Sequence, residues 1–160
     1  MANDVFQGKV EGFPEISVDY FLGGSLLCQS FFLGHCHTDH IKGLDSQELK
    51  SLLQSKKVKT YCTQVTASLV LRRSKLEYLS SSFAYLEKDE TYTLRVSENE
   101  TINVTITKAH HCPGSVMFLF SRGDKTVLHT GDFCVPADFS IHEALEGRHF
   151  DSLYMDTTLQ

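Results

Sequence analysis

Nothing in the sequence marks it for secretion or for a membrane. Met1-Ala2-Asn3-Asp4-Val5 has neither the basic stretch nor the apolar stretch of a signal peptide, and no apolar run reaches bilayer-spanning length. The expectation is a soluble, intracellular protein. The five cysteines (Cys28, Cys36, Cys62, Cys112, Cys134) form no C-x-x-C pair and are odd in number, which argues for reduced thiols rather than a disulfide framework. Positive charge is also short: 15 Lys and Arg stand against 20 Asp and Glu, giving a net charge of −5. Such a chain does not hold nucleic acid by bulk electrostatics. Internal repeats, low-complexity tracts and linkers are absent too, so its 160 residues, 41% of them hydrophobic, read as about one domain able to bury a core.

What is present is concentrated chemistry. His35-Cys36-His37-Thr38-Asp39-His40 spells H-x-H-x-D-H directly after the apolar run Phe31-Phe32-Leu33 and Gly34. Histidine and aspartate lose hydration on burial and need a partner to repay it, and a metal ion is such a partner. At a strand end, alternation points His35 and His37 the same way, onto one ion. Asp39 and His40 follow the break in alternation and are free to face a second. Two metals about 3.5–4 Å apart are standard apparatus for hydrolysing phosphate esters. Four positions from one loop cannot close two shells, so further ligands must come from other strand ends. Two strand ends offer them: Ala109-His110-His111-Cys112-Pro113-Gly114-Ser115, and Thr130-Gly131-Asp132-Phe133. Asp132, with two carboxylate oxygens, suits a bridge between ions. The cysteines are expected to stay out of the shells, which nitrogen and oxygen already complete.

The surrounding pattern reads as α/β. Residues 15–19 form a first strand ending in Asp19, residues 25–33 a second, and 45–56 a helix with a capping-box spacing over Asp45-Ser46-Gln47-Glu48. Residues 58–62 form a strand, and 63–73 a helix with Val65, Leu69 and Val70 facing inward. Ser80-Ser81-Ser82 reads as a loop. The runs 83–87, 92–96, 102–108, 116–120 and 126–130 then read as an antiparallel meander, 137–146 as a weak helix and 153–156 as a last strand.

These motifs resemble the metallo-β-lactamase fold, and within it the nucleic-acid-processing β-CASP nucleases. F-x-G-x-x-x-x-x-P-x-I-S-V-D-Y-F at 6–21, F-L-G-H-C-H-T-D-H-I-K-G-L at 32–44, H-C-P-G-S-V-M-F-L-F at 111–120 and Y-M-D-T-T at 154–158 are similar to the DNA-repair members that open hairpins and process ends. The resemblance implies a metallo-β-lactamase-like αββα sandwich, represented by its N-terminal half over 1–160, without the β-CASP domain. It implies one zinc on His35, His37, His111 and Asp132, and a second on Asp39, His40 and Asp132, with magnesium or manganese as other candidates. Asp19 would orient that cluster from outside. Asp39, Asp132 and Asp19 would be the catalytic carboxylates, Asp39 as ligand or as proton acceptor. The resemblance further implies a nuclear protein acting on DNA ends, hairpins and overhangs in non-homologous end joining, alongside DNA-dependent protein kinase and DNA ligase, with no membrane.

Departures from the family accompany the match. Cys134 stands where an arginine is common after T-G-D-F, and Gly34 where Ser or Thr is usual. His110 occupies a small or amide position; His111, directly before C-P-G, is the favoured ligand, with His110 and His129 in supporting roles. The family carries a further ligand histidine in later strands. A fragment, a short isoform or an incomplete gene model is therefore expected. Two other readings stand beside the nuclease: a catalytically silent product with an open sheet edge, and another hydrolase of this fold, such as a thioesterase or an RNA-processing endonuclease.

Overall fold

The computed structural model describes residues 6–56, 58–96, 98–136 and 145–156. They form two five-stranded sheets. The first runs β1 (Lys9–Val10), β2 (Phe13–Val18), β3 (Ser30–Phe32), β4 (Lys59–Cys62), β5 (Phe83–Tyr85) in spatial order, parallel from β2 onward. The second has the order β10 (Ser152–Tyr154), β9 (Lys125–His129), β8 (Val116–Arg122), β7 (Thr101–Lys108), β6 (Thr91–Arg95). Strands β6 to β9 are an antiparallel meander, and β10 joins β9 in parallel.

Alternation along the strands builds the layers. In β3, Phe31 faces one way and Phe32 the other, and both are fully buried. Phe32 enters the core between the sheets with Phe13, Ile16 and Val18 on its side and Ile102, Val104, Ile106, Phe118 and Phe120 opposite. Its ring meets Phe118 and Phe120 edge-on at 5.4 and 4.9 Å and stacks on Tyr61. Phe31 enters a second core under the helices α1 (Gln47–Lys56) and α2 (Gln64–Leu71), with Leu33, Leu44, Leu49, Val70 and Leu79. On the far face of the second sheet, Met117, Leu119 and Leu128 are covered by Phe133, Leu145 and Phe150. Two sheets packed face to face with helices outside the first are the layering that the resemblance implies.

Several expectations need correction. Residues 25–33 are not one strand: Gly23–Leu27 is a 3-10 helix, closed by Ser25 Oγ on the Leu22 carbonyl (2.8 Å), and only Ser30–Phe32 extends. The loop expected at Ser80 to Ser82 lies mostly in a second 3-10 helix, Glu77–Ser81, because Leu79 is drawn fully into the core. Phe83–Tyr85 is no part of the meander. It pairs in parallel with β4 after the α2 crossover, where strand, helix and strand favour one sheet. The first helix is capped by Ser46, whose Oγ accepts from the Leu49 amide at 3.2 Å, rather than by Asp45. In α2, Val65 points outward at 46% exposure, while Thr66, Ala67 and Val70 face inward. The first predicted strand starts earlier, at Phe13, and is preceded by β1. The helix expected over 137–146 falls almost wholly outside the described residues, and its end at Leu145 and Glu146 is a turn.

Candidate metal centre

Strand ends from both sheets converge on one spot. β3 stops at Phe32, and the loop that follows carries His35 to His40, tightened by the His40 amide on the His37 carbonyl at 3.1 Å. The turn after β7 supplies His111, and the turn after β9 supplies Asp132. The ring of His35 lies 4.5 Å from that of His37, 4.1 Å from His40 and 5.0 Å from His111, centre to centre. His111 Nε2 is 3.1 Å from His37 Nδ1. Asp132 sits among them, with Oδ1 3.0 Å from His40 Nε2 and Oδ2 3.6 and 3.4 Å from His35 Nε2 and His111 Nε2. Asp39, 67% exposed, reaches the same His40 nitrogen at 3.5 Å.

Among the described residues three donor groups emerge, each with ligand atoms within 4.8 Å of one another: His35, His37, His111 and Cys112; Asp39, His40 and Asp132; and Asp19, His35 and His40. The second holds the three residues read for one ion, while the first has Cys112 where the sequence reading has Asp132, whose Oδ2 nonetheless lies 3.6 and 3.4 Å from His35 and His111 Nε2. His110, the alternative to His111, is exposed at a left-handed backbone (φ 55°) and enters none of these groups.

A metal fits these residues on one direct observation. His35 is 1% exposed, and its Nε2 has no hydrogen-bond partner. An unpaired buried polar atom costs about 1–3 kcal/mol. A cation on that lone pair removes the penalty, and the donor set of imidazoles and carboxylates suits zinc. Burial, reinforced by the neighbouring His40 cation, depresses the His35 pKa to about 4 and keeps its nitrogen free to ligate.

Asp19 orders the loop. It lies just beyond β2 with φ 51° and is only 6% exposed, not the surface aspartate that a strand end could equally have carried. Its Oδ1 accepts from the Gly34 amide at 2.7 Å, and its Oδ2 meets His40 Nδ1 at 2.8 Å. His40 Nε2 is thereby aimed at Asp132 and Asp39. Burial works against charge on His40, but the Asp19 hydrogen bond and the charges of Asp19, Asp132 and Asp39 outweigh it and lift the pKa to about 9. Gly34 matters here because a Cβ at that position would lie 3.0 Å from Asp19 Oδ2.

The sequence reading missed the supports of the His111 turn. Ser115 Oγ accepts from the His111 and Cys112 amides at 3.2 and 3.1 Å. Thr63, which caps α2, and Thr66 both donate to the Gly114 carbonyl, at 3.0 and 3.1 Å. At the other end of α2, Arg73 donates to the Cys36 carbonyl at 2.7 Å. The hydroxyls beside a helix start were the only available signal. His129 is buried, and its Nδ1 accepts from the Gly131 amide at 3.2 Å, shaping the turn that presents Asp132. His149 is exposed and remote, and His142 lies outside the described residues.

Gly114→Ala tests this bracing. Gly114 has φ 87°, and a Cβ would stand 2.7 Å from Thr66 Oγ1 and 2.9 Å from its amide nitrogen. The expected loss is about 1–3 kcal/mol, read as a lower urea midpoint, with weaker metal binding beside it. An unchanged midpoint would show that the turn is not clamped.

Comparison with known proteins places this geometry. Residues 29–160 match the model of the β-lactamase superfamily domain. The chain is 38% identical to protein artemis of Gallus gallus, over 96% of this chain and 23% of that protein. It is 37% identical to protein artemis of Homo sapiens, over 96% and 24%. With the 5′ exonuclease Apollo of Gallus gallus it shares 37% identity over 93% of this chain and 30% of that protein. The chain thus spans about a quarter of the length of these relatives.

Proposed function

The chain belongs to the β-lactamase superfamily, and from that premise we propose that it is the metal-bearing N-terminal part of a zinc-dependent nuclease that opens hairpins and trims ends of DNA in double-strand break repair. The unpartnered buried Nε2 of His35, at the meeting point of four imidazoles and Asp132, carries this reading. The relative named a 5′ exonuclease supports phosphodiesters as the substrate class. His35, His37, His111 and Asp132 would hold one ion, and Asp39, His40 and Asp132 a second.

A divalent pair bound there supplies Lewis acidity and offsets charge developing on the phosphate. The chain's own residues do the rest. Asp19 fixes the His40 ring through Nδ1, so that Nε2, once it gives up its proton, would be the atom offered to a metal. Asp39, the most exposed carboxylate of the cluster, is placed to take a proton from water entering the site. The chain carries a net charge of −5, so attraction for a DNA end would come from the metals or from segments outside these 160 residues. DNA-dependent protein kinase and DNA ligase are the partners we propose, in the nucleus.

The test is zinc analysis of the purified chain together with cleavage of hairpin and overhang DNA, with and without a chelator. About two zinc ions per chain and cutting abolished by chelation are the expected results. Metal without cutting would favour a silent segment that lacks part of the machinery. Absence of bound metal would refute the centre itself.

A further inference from the structure

The helix α2 lies along the rim of the centre, because Thr63 and Thr66 at its start bond the Gly114 carbonyl and Arg73, just past its end, bonds the Cys36 carbonyl. Thr66, Ala67 and Val70 face inward. The outward side carries a hollow of about 320 Å³ lined by Gln64, Val65, Ser68, Leu69 and Arg72. Val65 and Leu69 give it an apolar floor, and Gln64 and Arg72 bound it at the two ends of the helix. The chain then turns through Arg72-Arg73-Ser74-Lys75, which places three of its 15 cations within four residues. Arg72 and Lys75 are exposed, and the ion pairs of the described lysines and arginines belong instead to Arg122 and Lys125. Lys75 holds φ 71°, a left-handed backbone that suits glycine and strains a lysine. A strained cation beside an exposed arginine marks charge as what this corner supplies.

We propose that the outer face of α2 is the track of the nucleic-acid strand that leads into the metal centre, with phosphates held by Arg72 and Lys75 and an unpaired base laid on Val65 and Leu69. The inference rests on the phosphodiester reading above and deepens it. Eight helical residues span about 12 Å, the rise of about three stacked nucleotides. A strand with one phosphate at the centre therefore has its next few within reach of the corner. Charge complementarity selects this occupant, since a chain of net charge −5 presents unpaired cations beside its ligand-bearing turns. Three cations do not make the whole surface attractive to DNA. They fix where the strand lies, as phosphate contacts do. The aliphatic floor meets a base by its face and reads no edge, so single-stranded ends of any sequence are accepted.

Titration of the zinc-loaded 160-residue chain with hexathymidylate, followed by amide and arginine side-chain nuclear magnetic resonance, reads weak and strong contacts alike. Shifts are expected at Val65, Ser68, Leu69 and Arg72, alongside shifts in the loop from His35 to His40. Removing two cations from a single-stranded complex lowers the slope of log affinity against log salt by about 1.4. The double variant Arg72→Ala, Lys75→Gly is expected to bind more weakly and to show that shallower slope. Lys75→Gly alone should leave the urea midpoint no lower than that of the wild type, because glycine relieves φ 71°, so weaker binding does not stem from unfolding. Shifts confined to the metal loop, or an unchanged slope in the double variant, would overturn the track and leave the nuclease reading standing. Hexaglutamate that shifts α2 where hexathymidylate does not would overturn it in favour of an acidic peptide. No shift anywhere in the chain would overturn the nucleic-acid reading and this inference together.

Discussion

Asp132→Ala is expected to slow the cutting of DNA hairpins and overhangs by about 10³-fold or more while leaving the protein folded. Asp132 belongs to none of the three hydrophobic cores. It sits on the turn after β9, where Gly131, at φ 53°, redirects the backbone. Its two oxygens face opposite sides of the cluster, one toward His40 and the other toward His35 and His111. Truncation removes a carboxylate that lies within 3.6 Å of histidines in both donor sets. It leaves four imidazoles crowded together without the carboxylate that His35, His40 and His111 share. Asp132→Asn separates shape from charge, because an amide keeps one oxygen yet cannot neutralise two cations. Cleavage rate, zinc content and urea midpoint should be measured on the same preparations. Wild-type cutting by Asp132→Ala would remove this residue from the centre. A collapsed midpoint would reassign it to folding.

Asp19→Ala should be the more damaging change for the protein as a whole. The buried carboxylate satisfies the Gly34 amide and the His40 ring at once. Without it, an amide and a cation lose their partner inside the molecule. Removing one partner of a buried pair costs about 3–5 kcal/mol, and metal affinity should fall about 10–100-fold as His40 loses its orientation. The pH dependence of the metal-free chain identifies the interaction. His40 has a folded pKa of about 9 against an ordinary 6.5, so its contribution is fully present below 6.5 and is lost as pH rises through 9. Linkage sets that contribution at about 3 kcal/mol. His35 works in the other direction. Its folded pKa of about 4 means that stability declines as pH falls from 6.5 toward 4. The metal-free wild type should therefore be most stable near 6.5, and Asp19→Ala should flatten the alkaline limb. A wild-type urea midpoint that stays constant between pH 6.5 and 9 would refute the Asp19–His40 coupling.

Much of the site was legible because its chemistry is local. Three histidines and an aspartate within six residues need no knowledge of the fold to suggest a metal, and glycine beside Asp132 announces a turn. The meander was equally readable, since Ile102, Val104 and Ile106 alternate with polar residues on one buried face. What escaped depends on contacts between distant segments. The register of Phe83–Tyr85 against β4 is set by the helix that crosses between them, so its place in the parallel sheet was invisible in a run of apolar residues. Ser25 to Leu27 reads as the start of a strand but turns with Gly23 and Gly24, because Ser25 bonds back to Leu22. Val65 sits on the helical stripe that composition predicts is buried. The rotation of α2 is governed instead by Thr63 and Thr66 gripping Gly114. The approach of the Cys112 sulfur to the imidazoles is likewise visible only in the folded turn.

The helix α2 has a consequence beyond holding the turns in place. One end grips the Gly114 carbonyl and the other, through Arg73, the Cys36 carbonyl. Two ligand-bearing segments more than seventy residues apart in the chain are therefore fastened to a single eight-residue rod. Fraying of that rod frees both jaws of the centre in one event. Local opening of α2, visible as amide hydrogen exchange at its backbone, and the escape of metal should then share one rate-limiting motion. The residence time of the ion becomes a property of a short helix that contributes no ligand at all.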